Sequence, residues 1–283
     1  MSFYVETYPT QNTANSLWIY VLKTVDRKWE ICEREAAHEI GSPNLKKEMK
    51  AKSLILAAAI GVASAIPATA QNTVFSVNAV GFVNKTVSDG FTLIANPLIA
   101  ENNTLAGLFG TTLPSGTQIF KFDPNQGFIS SQFFDLGGGT TLWVPGGAEA
   151  TTVVPGEGFF INIPGGTGNH TITFVGNVPQ GTLDTPLSQG FQLISSQVPQ
   201  AGEIVSDLGL PIGNQDQIFK FNKSSGFISI QFFDLGGGTT LWVNSEFGGQ
   251  NIPPSVDVGE GFFLNRQAAG SATWSRNFDV NSQ

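Results

Sequence analysis

The chain has 283 residues, with 14 Lys+Arg against 22 Asp+Glu, a net charge of −8 and a single cysteine. That length admits one large domain or two modules of about 100 residues, each able to bury a core. The acidic balance disfavours nucleic acid and anionic surfaces as partners, and one cysteine supplies neither a disulfide framework nor a zinc site.

Two unlike sequences are joined. Tyr4, Tyr8, Tyr20, Cys32, Met1 and Met49 all precede residue 50, whereas 31 of the 33 glycines and 22 of the 23 phenylalanines follow residue 70. The first segment, 1–48, is charged, weakly helix-like and unlike anything downstream. From Met49 the chain reads MKAKSLILAAAIGVASAIPATAQ, with Lys50 and Lys52, an apolar run from Leu54 to Ile66, and Ala68-Thr69-Ala70 before Gln71. This is the layout of a secretory signal peptide. A membrane span is the competing reading, but it needs roughly 20 apolar residues. The expected organisation is therefore an upstream extension (1–48) outside the native product, a signal peptide (49–70), and two β-repeat modules (71–178 and 179–283). The mature part, 71–283, carries 15 Asp+Glu against 6 Lys+Arg and no cysteine.

The repeat is plain in the sequence. GFTLI at 90–94 returns as GFQLI at 190–194, QIFKF at 118–122 returns at 217–221, and GFIS at 127–130 returns at 226–229. QFFDLGGGTTLWV occurs unchanged at 132–144 and 231–243, and GEGFF closes each copy at 156–160 and 259–263. Short runs rich in Phe, Ile, Val and Thr, bounded by Gly, Pro, Asn and Ser, predict strands near 77–84, 91–96, 117–122, 127–134, 140–144, 158–163 and 170–175, with the series repeated from about 182 to 278. NNTLAGLFG (102–110) and AGEIVSDLG (201–209) carry apolar residues at helical spacing before a glycine, which predicts one short helix per copy. The expected fold is mainly β: two tandem antiparallel β-sandwich or barrel-like modules, each with one short helix. A single sandwich built from both copies is the competing architecture.

Few residues offer chemistry. GGG between two strand-like runs, with neither a helix nor a lysine after it, predicts a hairpin and not a phosphate loop. Asp135 and Asp234 precede these loops, and Glu157 and Glu260 sit in GEGFF. They are expected to bridge turns, although a converging carboxylate pair would suit glycoside hydrolysis. Asp123-Pro124-Asn125-Gln126-Gly127 has Asn222-Lys223-Ser224-Ser225-Gly226 as its counterpart, which loses the carboxylate and predicts a β-turn, not a calcium loop. His170 is the one histidine of the mature part, too few for a triad or a metal site. No catalytic residue, metal or cofactor is expected. Trp143 and Trp242, with Asp135 and Asp234, are the candidate ligand-binding residues, because exposed indoles stack on sugars; alternation with Leu and Val favours burial instead.

Through NAVGFVN, GFTLIANPL, NTLAGLFG, GTQIFKF, the Trp strand and PGEGFFIN, residues 75–280 resemble a group of exported bacterial proteins with tandem β-rich repeats of about 100 residues. The resemblance implies export to the periplasm, cell surface or medium and a structural role, and brings no reaction or site residues; in the second copy LISSQVPQ replaces LIANPLIA. The expected function is that of a non-catalytic structural or adhesion-type surface protein. The alternatives are a glycan-binding module using one face of each repeat and a polysaccharide hydrolase. Partners would be carbohydrate or other envelope proteins, with no nucleic acid and no membrane insertion once the signal is removed.

Overall fold

The computed structural model describes residues 79–280 and, ahead of them, two strands, β1 (Phe3–Pro9) and β2 (Trp18–Thr24). The signal-like stretch 49–70 lies outside the described residues. β2 reads WIYVLKT, and its aromatic and β-branched residues suit a strand better than the weak helix expected for this segment. It meets the first repeat at Ile19↔Gly81.

The protein is mainly β, and every registered strand pair among the described residues is antiparallel. In the first copy the strands are β3 (Val80–Val87), β4 (Gly90–Ala95), β5 (Gln118–Asp123), β6 (Gly127–Gly137), β7 (Thr140–Val144), β8 (Gly158–Ile163) and β9 (His170–Asn177). β4-β8-β5-β6-β7 form a five-stranded sheet, and β3 pairs with β9 along its whole length as a ribbon apart from it, within a sheet ordered β1-β2-β3-β9. The second copy comprises β10 (Gly181–Leu187), β11 (Gly190–Ser195), β12 (Gly202–Glu203), β13 (Gln217–Asn222), β14 (Gly226–Gly236), β15 (Thr239–Asn244), β16 (Ser255–Val256), β17 (Gly261–Arg266) and β18 (Ala272–Phe278). Its sheet, β11-β17-β13-β14-β15, and its ribbon, β10-β18, repeat the first arrangement.

Helix content differs between the copies. α1 (Leu105–Phe109) forms where Thr104 caps it, its hydroxyl accepting from Gly107 N–H at 3.1 Å. Leu105 and Phe109 point into the core. In the second copy residues 204–208 make consecutive turns instead. There Glu203 C=O accepts from both Asp207 and Leu208 N–H, and the Asp207 carboxylate accepts from Glu203 N–H at 2.9 Å, so the side chain competes for the bonds that would extend a helix.

Strand alternation places every second residue on one face. In the first sheet Ile94, Ile119, Phe133, Trp143, Phe159, Ile161 and Ile163 face the ribbon and α1, where Val83, Val87, Ile172, Phe174, Leu105 and Phe109 complete the core. Leu187, Ile194, Ile218, Phe232, Trp242, Phe262, Leu264 and Trp274 make the equivalent core in the second copy. The other faces meet each other. Leu93, Phe160, Leu193 and Phe263 are buried together, with Phe120, Phe122, Phe219 and Phe221 packed around them.

Contacts across this seam are reciprocal. Ala95 N–H donates to Gly259 C=O (2.9 Å) and Ser195 N–H to Gly156 C=O (3.0 Å), while Phe122 stacks edge-on to Phe263 and Phe160 to Phe221. Each relation has its mirror in the other copy, the pattern of an isologous twofold contact. The glycines of GEGFF make it possible: a Cβ on Gly158 would come within 3.1 Å of Ile194 C=O, and one on Gly261 within 3.2 Å of Ile94 C=O.

Candidate functional site

The repeated QFFDLGGGTTLWV folds as the hairpin β6–β7 and again as β14–β15. Gly138 and Gly139 have φ of 63° and 80°, and Gly237 and Gly238 have 62° and 79°. Positive φ at both central positions of a two-residue loop is the turn that matches strand twist. Asp135 Oδ1 accepts from Gly137 N–H at 2.8 Å and Asp234 Oδ1 from Gly236 N–H at 2.8 Å, each spanning the register shift before the turn. These carboxylates are exposed and serve the turn. Beside them the tips present Leu136, 62% exposed, and Leu235, 61% exposed.

Trp143 and Trp242 lie on the inner face of the same hairpins and are only 3% and 5% exposed. Trp143 packs between Phe109 and Phe133 and Trp242 against Phe232. Their rings fill the core and present no face for a sugar to stack on, so the structure does not bring these indoles together with Asp135 and Asp234 as a surface site. Trp143 Nε1 is buried without an acceptor.

Glu157 and Glu260 hold equivalent places. Each carboxylate accepts from a backbone amide three residues back, Val154 N–H (3.0 Å) or Asp257 N–H (2.8 Å), and pairs with a lysine at 3.1 Å, Lys121 or Lys220. Asp123 accepts from Asn125 and Gln126 N–H, and Asn222 accepts in the same way from Ser224 and Ser225. A turn needs only an oxygen acceptor there, which explains why Asn replaces Asp. His170 opens β9 with its Nε2 buried and unpartnered. No group of three or more metal-ligating side chains occurs among the described residues, and no described helix is long and apolar enough to cross a membrane.

Sequence reasoning missed the seam. Ten phenylalanines, five from each copy at matching positions, form one connected network: 91, 120, 122, 128 and 160 with 191, 219, 221, 227 and 263. The signal was present in QIFKF, where Phe120 and Phe122, and Phe219 and Phe221, alternate on one strand face. Where the seam meets solvent it leaves two equivalent clefts of about 320 and 340 Å³. The second is lined by Pro124, Val154 and Thr185, the first at the same places by Lys223, Asp257 and Lys85. These lysines bind the copies to each other. Lys85 Nζ donates to Val258 C=O at 2.9 Å, and Lys223 Nζ donates to Ser88 Oγ at 2.7 Å and to Asp89 C=O. Burial lowers the Lys85 pKa, against the pull of Glu260 and Asp257.

Comparison with family models, with curated proteins and with solved structures gave no match.

Proposed function

We propose that this protein is an exported, non-catalytic β-repeat protein with a structural or adhesive role at the cell envelope or in the extracellular matrix. The observation that carries this reading is the twice-presented hairpin. Two copies of one sequence, each held rigid by a buried Trp–Phe pair and a carboxylate-bridged turn, expose the same apolar tip, Leu136 and Leu235. Exposed apolar residues on a rigid scaffold suit contact with other macromolecules. The carboxylates that a polysaccharide hydrolase would use are engaged in turns and lysine pairs.

A glycan-binding reading moves from the indoles to the clefts at the seam, where half-exposed Phe91 stands beside Thr92, Asn222 and Lys85. Cell fractionation with N-terminal sequencing tests the main reading, and the expected result is a mature chain beginning at Gln71 in the envelope or medium. A cytoplasmic chain retaining residues 49–70 would overturn it. A glycan array probed with the wild type and Phe91→Ala separates the two readings, since binding lost in the variant would establish the cleft.

A further inference from the structure

The two five-stranded sheets end differently, although their outer hairpins are identical in sequence. Each sheet has an inner edge, β4 or β11, lying at the seam against the other copy, and an outer edge, β7 or β15. In the second copy the outer edge is closed by the loop that follows it. Asn251 Oδ1 accepts from Trp242 N–H at 2.8 Å, Gln250 C=O accepts from Asn244 N–H at 3.3 Å, and Ser245 Oγ accepts from Ser229 N–H at 3.0 Å.

The first copy lacks all three closures. Pro145 stands in the place of Asn244 and has no N–H to bond. Phe133 N–H donates to Thr117 C=O at 2.8 Å, away from β7. In an antiparallel pair its partner Trp143 must then direct its own amide away from β6. Asp135 N–H likewise turns toward Ser115 Oγ, so Thr141, two residues from Trp143, also faces outward. Among the described residues no acceptor takes the Trp143 amide.

We propose that β7 pairs with β7 of a second copy of this chain, antiparallel and about a twofold axis through Leu142. The register is self-complementary. With Leu142 opposite itself, Thr141 lies opposite Trp143 of the other copy, and the outward N–H and C=O groups exchange four hydrogen bonds. Leu142 and Val144, 45% and 44% exposed, bring apolar surface to the joint. Electrostatics favours this place for a like-charged partner. The chain carries a net charge of −8, yet no ionisable residue lies between Leu136 and Ala148, so the pairing strand itself brings no carboxylate to the joint. Because Asn251 and its loop close the equivalent edge, pairing stops at two chains. The inference rests on the edge geometry alone and stands whether or not the protein is exported.

Sedimentation velocity on the purified full chain at high micromolar concentration tests it. A dimer is expected, and a monomer overturns the proposal. Leu142→Lys places like charges directly opposite at the axis and is expected to weaken dimerisation at least about tenfold, while Leu241→Lys at the closed edge leaves it unchanged. Equal effects of the two variants, or none, would refute pairing at β7. Leu142→Cys, in a Cys32→Ser background, covers the case in which the lysine variants misfold. Opposed Cβ atoms about 4.5–5.5 Å apart in such a pair lie near disulfide reach. Mild oxidation is expected to give a covalent dimer with Leu142→Cys and none with Leu241→Cys; failure of Leu142→Cys to cross-link would sink the proposal.

Discussion

Truncating Phe263 is expected to weaken the whole molecule and not one copy. Its ring is largely buried and meets Phe122, Phe128 and Phe160 of the first copy at centroid distances of 5.2, 6.1 and 6.4 Å, and Phe191 and Phe227 of its own at 6.3 and 6.0 Å. Phe→Ala at such a site costs about 3–5 kcal/mol, the lost transfer energy plus the cavity left behind. A domain of this size loses about 2–4 °C of Tm per kcal/mol, so the midpoint should fall by roughly 6–20 °C. Phe160→Ala removes the matching ring, and because the two rings touch, the double variant should cost less than the sum by about 0.5–3 kcal/mol. Calorimetry and urea unfolding followed by circular dichroism would read both effects. One transition is expected, shifted as a unit. Two transitions, with the first copy melting at the wild-type temperature, would refute it; so would strict additivity of the pair.

The buried tryptophans give a second contrast. Trp143→Phe deletes an indole N–H that has no acceptor, offsetting much of the lost volume, so the net change is expected within about 1 kcal/mol. Trp274 Nε1 donates to Leu208 C=O at 2.8 Å, and Trp274→Phe should cost about 2–4 kcal/mol, since the carbonyl is left unpaired. Equal denaturation midpoints for the two variants would contradict this. Asp89 supplies a pH dependence. Its carboxylate accepts from Gly166 N–H (2.6 Å) and Gly168 N–H (2.8 Å), which hold its pKa below the ordinary aspartate value. A depressed folded-state pKa contributes stability that is present above the unfolded-state value, near 3.9, and lost as pH falls through the folded-state value. Asp89→Asn should therefore flatten the stability profile below about pH 4 and nowhere else, a difference that urea midpoints across an acid series would show.

Much of this fold was legible because the strands are short and punctuated. The glycines of GGG and the Asx acceptors at Asp123 and Asn222 mark turns by local chemistry alone, and the strands lie within about three residues of their expected positions. The turns at 204–208 were not legible as such, since helical spacing in AGEIVSDLG is the same whether Asp207 faces solvent or bonds back to Glu203. The Trp143 and Trp242 positions alternate with Leu and Val on both faces of an edge strand, and only the packing partners Phe109 and Phe232 decide which face is inside. Phe120 and Phe122 posed the reverse problem. Period two announces an apolar face, but nothing in one copy states that the surface covering it is the same face of the other. The state of each outer edge depends on Asn251 and Pro145, residues outside the repeated block.

The reciprocal seam makes each copy the cover of the other. An interface in which each half offers the other the same five phenylalanines is what a homodimer of a single repeat would own, here made intramolecular by the short connection between Asn177 and Gly181. Within one chain the two halves need not be identical. One cleft carries Lys85, Lys223 and Asp257 where the other has Thr185, Pro124 and Val154, and one edge has an asparagine cap that the other lacks. One repeat alone would leave its phenylalanine face uncovered, and the tandem chain carries the two faces against each other as its interior.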